Sequence, residues 1–220
     1  MKKSWGPPGI SRRWDNRAVE IQQIRPGLFR WAAPHPEWSP GASPGSTADW
    51  PQEVGSVLYE APDATVLIDP LLPPERESFL PELDRRVRRR HRPVSILTTI
   101  GFHRRDRDEL ARRYEASTSR AKKNLPAGVE SFPVRRAGET IFWLPEHRVL
   151  VPGDRLIGSP GGGLRVCPQS WLRYLPNPLT IAQLKQAMGP LLELPVERVL
   201  VSHGEPVLAD ARRALSAALA

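Results

Sequence analysis

Val94-Ser95-Ile96-Leu97-Thr98-Thr99-Ile100-Gly101-Phe102-His103-Arg104-Arg105-Asp106-Arg107-Asp108-Glu109-Leu110 is the stretch on which the reading of the fold turns. Its first six residues, rich in apolar and β-branched side chains, read as a buried strand. The polar run that follows reads as a loop, and Leu110, Ala111 and Tyr114 then fall at helical spacing. A strand that hands over to a helix in this way is a unit of α/β layering.

Working outward, the same alternation continues on both sides. Gly55–Glu60 and Ala64–Pro70 read as two strands joined by Ala61-Pro62-Asp63, the second with a near-continuous apolar run that implies burial. A helix from about Pro74 to Arg90 separates them from the opening stretch. Earlier still, Ala18–Ile21 and Gly27–Trp31 read as strands, and the residues up to Arg17 as a poorly ordered or surface-packed arm preceding a single domain over 18–220. Downstream, Thr140–Leu144 and Arg148–Val151 form a hairpin around Pro145-Glu146-His147. Ile181–Leu194 reads as a helix with a kink or stop at Gly189-Pro190, Val196–Val201 as a strand and Ala209–Leu219 as a closing helix. Two strand-rich halves, each covered by helices, predict a sandwich with its site where the strands end. The Pro-, Gly- and Ser-rich segment from Ala32 to Glu53, which contains His35, Trp38 and Trp50, is long enough to overhang such a site.

Composition narrows the classes. A chain of 220 residues with 40% hydrophobic and 25% charged residues is an ordinary globular protein, and no apolar run approaches the roughly 18 residues of a membrane span. The start has two lysines but no apolar stretch behind them, so a secretory signal is not expected. A lone Cys167, read as a buried structural thiol, excludes an internal disulfide and a four-cysteine zinc site, which fits a cytoplasmic protein. The net charge of +8 raises the question of nucleic acid, but the densest basic run, Arg85–Arg92, ends a helix, where cations suit the dipole, and no aromatics interleave it. A solvated helix face is the expectation, with neither a nucleic acid nor a membrane as partner. Ser159–Gly163 is Gly-rich but lacks the ending of a phosphate loop and reads as a turn. His91 in the basic run and His147 at the hairpin tip are expected to be exposed.

Four pieces, taken in order, resemble the metallo-β-lactamase superfamily over roughly Ile21 to Ala220. Ser56–Pro70 resembles its opening hairpin, ending in Ile-Asp-Pro. Ile96–Leu110 resembles the strand, loop and helix that carry its His-x-His-x-Asp-His motif. Phe132–Leu156 resembles the stretch from its third metal histidine to its bridging aspartate, and Val199–Gly204 the strand bearing its last metal histidine. The resemblance implies an α/β fold, a four-layer αβ/βα sandwich, and a centre of two metal ions that activates water for hydrolysis.

The ligand positions match only in part. Phe102, Arg104 and Arg107 stand where the motif has histidines, and Arg135 stands at the third one, while Asp106, Asp154 and His203 match. A shifted alignment lets His103 replace one missing ligand. The resemblance therefore implies at most one ion, zinc or manganese by ligand type, on Asp106, Asp154 and His203 with His103 or His35 as further donors, or none at all. Two functions are left open. One is a hydrolase of a small ester, thioester or phosphoester, with Asp106 in the centre and His103 as general base. The other is a catalytically silent protein in which arginines replace the ions, and Arg104, Arg107 and Arg135, with His35, bind an anionic small molecule or partner.

Overall fold

The computed structural model describes residues 19–119 and 124–220, so the expected arm lies outside the described residues. Two sheets form the frame. The first has six strands in chain order: β1 (Gln22–Arg25), β2 (Leu28–Pro34), β3 (Glu53–Glu60), β4 (Thr65–Ile68), β5 (Val94–Leu97) and β6 (Ser117–Ser119). The second contains β7 (Glu130–Val134), β8 (Glu139–Leu144), β9 (Val149–Val151) and β12 (Arg198–Val199), in the spatial order β12-β9-β8-β7. A separate hairpin consists of β10 (Leu156–Ser159) and β11 (Gly163–Val166). The helices are α1 (Arg76–Arg88), α2 (Arg107–Tyr114), α3 (Ile181–Met188) and α4 (Ala211–Leu219).

The alternation of side chains along each strand builds the layers. Phe29, Trp31, Leu67 and Ile96 point to one face of the first sheet, where Phe79, Leu83 and Val87 of α1 and Leu110 of α2 cover them. Leu28, Val66, Ile68 and Leu97 point to the other face and meet Phe142, Leu144, Val149 and Val151 of the second sheet. Ile141, Trp143 and Leu150 face outward from that sheet onto Leu184 and Met188 of α3 and Leu215 of α4. The period of two thus gives each sheet one helix-facing and one sheet-facing side. The result is the expected αβ/βα order.

Parallel pairing positions the site. β4 runs parallel to β5, and β9 parallel to β12, so the chain leaves all four strands at one end. At that end the sheets are joined by isolated bridges, Val54 with His203 and Ile100 with Glu139, and by the Gly55 N–H donating to the Ser202 carbonyl at 2.7 Å. Gly55 is required by close approach: a Cβ there would stand 2.5 Å from the Val201 carbonyl oxygen.

Several expectations are corrected. Val19, Glu20 and Ile21, expected as strand, precede the first strand, whose pairing with β2 starts at Gln22 opposite Arg30; Ile21 is buried in the helix-side core, and Ala18 lies outside the described residues. β6, β7 and the β10–β11 hairpin add to the strands expected from the sequence. His147 is buried, not exposed: the turn Pro145–His147 folds back so that its ring meets Tyr59 edge-on at 5.4 Å. Gly189-Pro190 does end α3, and Cys167 is buried. In the basic run, Arg85 and Arg86 pair with Glu82, and Arg89 and Arg90 turn towards the buried Glu60. Among the described residues no helix is long and apolar enough to cross a membrane.

Candidate metal centre

His103, Asp154 and His203 converge from three strand ends. His103 lies in the short helical turn Gly101–Arg104 beyond β5, Asp154 three residues beyond β9, and His203 beyond β12. The Nε2 atoms of both histidines face the same oxygen, Oδ1 of Asp154, at 2.9 Å from His103 and 3.2 Å from His203. One potential ligand atom from each of the three lies within 4.8 Å of the others.

Each side chain is held differently. Asp69, just past β4, accepts from the Thr99 N–H at 2.9 Å and the Thr99 hydroxyl at 2.5 Å, and its Oδ2 lies 2.8 Å from Nδ1 of His103. A carboxylate on the far nitrogen fixes the imidazole's orientation and tautomer, as metal-binding histidines generally require. Asp154 is presented by a turn organised from β8. The Glu139 carboxylate accepts from the backbone N–H groups of Gly153, Asp154 and Arg155 at 3.1, 2.7 and 2.9 Å. His203 packs edge-on between Trp50 and Trp171, with centroids 5.6 and 5.5 Å away, and its buried Nδ1 has no hydrogen-bond partner.

The electrostatics follow from these partners. Burial and the nearby Arg105 guanidinium work against protonation of His103, but Asp154 and Asp69 prevail and raise its pKa to about 9. Burial opposes ionisation of Asp154, yet the two imidazoles hold its carboxyl well below the usual range. Burial is the main force lowering the pKa of His203, with Asp154 opposing it. Burial pushes Glu139 up to about 7, against the pull of Arg155. Without an ion, the cluster is a carboxylate sharing protons with two imidazoles.

The donor set also fits a divalent metal. Two neutral imidazoles and one carboxylate are ligands that zinc accepts, and ligand bonds of about 2.0–2.2 Å in a tetrahedron place neighbouring donors roughly 3.3 Å apart. The observed 2.9 and 3.2 Å lie close to that edge length. These three residues can therefore hold one metal ion.

The other expected site residues lie elsewhere. Asp106 gives α2 no side-chain cap; its carboxylate accepts from the Leu72 N–H and the Arg76 guanidinium, each at 2.7 Å, and Arg76 also pairs with Glu109. Arg104 is exposed, Arg107 is bonded to its neighbour Asp108, and Arg135 is exposed beyond β7 in a separate groove with Arg136 and Asn177. None of these four lines the cavity over the cluster. The arginines that do line it are Arg105 and Arg155. The Arg105 guanidinium donates to the carbonyls of Gly55 and Asp69 at 2.8 and 2.7 Å and to the Ser202 hydroxyl at 2.5 Å. Arg105 has φ 41° and ψ −128°, a conformation that costs about 1–3 kcal/mol for a non-glycine residue and that these three bonds hold in place. His103, expected as a general base, has both ring nitrogens facing carboxylates. His35 does line the cavity, stacked edge-on against Trp50 at 5.0 Å.

Asp69, Arg105, Glu139 and Trp171 were not singled out from the sequence. The only available signal was for Asp69, in the Ile-Asp-Pro ending of the second strand. The cavity itself measures about 240 Å³ and is roofed partly by the segment between β2 and β3. That segment is fastened across it: the Ser170 hydroxyl donates to the Gly45 carbonyl at 2.5 Å and the Trp171 indole to the Ser46 carbonyl at 3.0 Å.

No protein-family model matches this sequence, and no curated protein matches it either. Solved structures do. The DIM-1 metallo-β-lactamase exposed to ceftazidime is similar with a TM-score of 0.61 at 12% identity, over 92% of this chain and 97% of that one. The metallo-β-lactamase FIM-1 from Pseudomonas aeruginosa, in its mono-zinc form, gives 0.56 at 13% identity over 91% and 94%. A metallo-β-lactamase family protein from Thermus thermophilus gives 0.52 at 18% identity over 89% and 79%. At such identities the likeness is one of architecture, and on that ground the chain has the metallo-β-lactamase fold.

Proposed function

We propose that this chain is a mononuclear metal-dependent hydrolase that holds one zinc ion, or manganese in its place, on His103, Asp154 and His203. The observation that carries the reading is the pair of imidazole Nε2 atoms facing one carboxylate oxygen at 2.9 and 3.2 Å under a cavity. A structurally similar protein, FIM-1, was itself solved in a mono-zinc form. Zinc bound to three protein ligands supplies a Lewis acid and a water acidified towards neutrality.

The chain's own residues set the conditions for that chemistry. Asp69 keeps the proton of His103 on Nδ1, leaving Nε2 as the donor. Glu139 fixes the turn that presents Asp154. Trp50 and Trp171 exclude water from the His203 side, which strengthens the electrostatics of the centre. His35 is the remaining imidazole on the cavity wall among the described residues. Burial first, then the Arg105 charge, lowers its pKa, so it is neutral near pH 7 and able to accept a proton.

Metal content by mass spectrometry tests this, on protein purified without chelator and offered zinc, manganese and iron. Near one equivalent, lost in Asp154→Ala and His203→Ala together with ester hydrolysis, is the expected result. No retained metal under any loading would overturn it.

A further inference from the structure

Resting on the hydrolytic reading above, we infer that the substrate carries an uncharged aromatic or compact apolar group, and that Phe102 and Tyr174 at the cavity wall bind it. Among the described residues three large hydrophobic side chains are strongly exposed: Phe102 at 71%, Tyr174 at 59% and Leu208 at 42%. Two of the three line the one cavity over the metal cluster. Exposed aromatic surface is unfavourable in water, and its concentration at a concave site marks a place for a ligand.

The rest of the wall agrees. Trp50 and Trp171 supply further apolar surface, while the two arginines that reach the cavity are turned inward. Arg105 donates to Gly55, Asp69 and Ser202, and Arg155 donates to the Ala137 carbonyl from a side chain that is almost wholly buried. Arg173 stacks on the Tyr174 ring at 5.0 Å but does not line the cavity. Glu37 and Asp154 do line it, and their carboxylates disfavour a further negative charge there. The cavity opens to solvent, and its volume shows what it can hold. A cavity of about 150 Å³ accommodates benzene, so 240 Å³ takes one ring together with an ester-sized group. The arginines to which the sequence assigned a small anion, Arg104, Arg107 and Arg135, do not line this cavity.

Three non-hydrolysable amides test the inference: acetanilide, its anionic counterpart 4-acetamidobenzoate, and ringless N-methylacetamide. Their binding is followed by ligand-observed NMR on zinc-loaded and metal-free protein, with zinc content measured on the same samples. Acetanilide is expected to bind at least about tenfold more tightly than either of the others, and Phe102→Ala and Tyr174→Ala each to weaken it severalfold. Equal or tighter binding of 4-acetamidobenzoate, or acetanilide binding indifferent to both substitutions, would overturn the inference. Both side chains are exposed, so the variants keep the core intact. Absence of zinc with the acetanilide preference intact would sink the hydrolytic reading alone and leave the aromatic-binding wall supported.

Discussion

Asp154 and Asp106 leave the same fraction of their side chains exposed, 13%, and each lies in a loop that follows a strand. Their neighbours differ completely. Asp154 faces two imidazoles, groups that surrender a proton to a metal at neutral pH. Asp106 faces the Arg76 guanidinium, a permanent cation that leaves no place for a second one. Burial alone does not make a carboxylate a metal ligand; the titratability of its partners does. Of the single-ion site expected from the sequence, Asp154 and His203 thus keep a metal-binding chemistry, while Asp106 is withdrawn from it by an ion pair.

Asp154→Ala breaks this contrast most strongly. It is expected to abolish metal retention altogether, measured as zinc content after gel filtration. Asp69→Asn removes the carboxylate that aligns His103 and is expected to weaken zinc binding by about 10–100-fold, readable by competition with a chromophoric chelator.

Acidity offers a third handle. The pKa of His103 is raised from 6.5 to about 9, so the stability it contributes to metal-free protein is fully present below pH 6.5 and is lost as pH rises through 9. Thermal unfolding of chelator-treated protein is expected to show a falling Tm across that window. His103→Gln is expected to flatten the slope, and an unchanged slope would count against the cluster as drawn.

The smallest effect is expected at the other carboxylate. Asp106→Asn leaves Arg76 and the Leu72 N–H partly satisfied, so denaturant unfolding is expected to show a loss of about 1–3 kcal/mol. Zinc stoichiometry is expected to stay at one. A fall in stoichiometry would mean that Asp106, not His103, completes the centre.

Much of the frame was legible in the sequence because burial leaves periodic traces. Val66, Leu67 and Ile68 alternate between two cores, and both cores being apolar is what made the run continuous. β6 left no such trace: Ser117-Thr118-Ser119 is polar, and it joins the sheet by parallel pairing with β5. At the site, Asp154 and His203 were readable because they sit in strand-end positions. The role of His103 was obscured because the motif's spacing favours Asp106, whereas Arg105, with its positive φ, stands between the two. No local pattern reveals that Asp69 and Glu139, 34 and 15 residues away from the groups they position, are the supports of the centre. Nor could sequence tell which arginine goes inward: Arg104 and Arg107 were as eligible as Arg105, and only the carbonyls of Gly55 and Asp69 decide.

The central claim is that a single ion binds at the Asp154 carboxylate and none at Asp106. Anomalous diffraction at the zinc edge, from crystals of zinc-loaded protein, tests it directly. The account predicts one peak, about 2.0–2.2 Å from a nitrogen of His103, a nitrogen of His203 and an oxygen of Asp154, with Asp106 still on Arg76. A peak beside Asp106, or no peak at all in protein saturated with zinc, would contradict it.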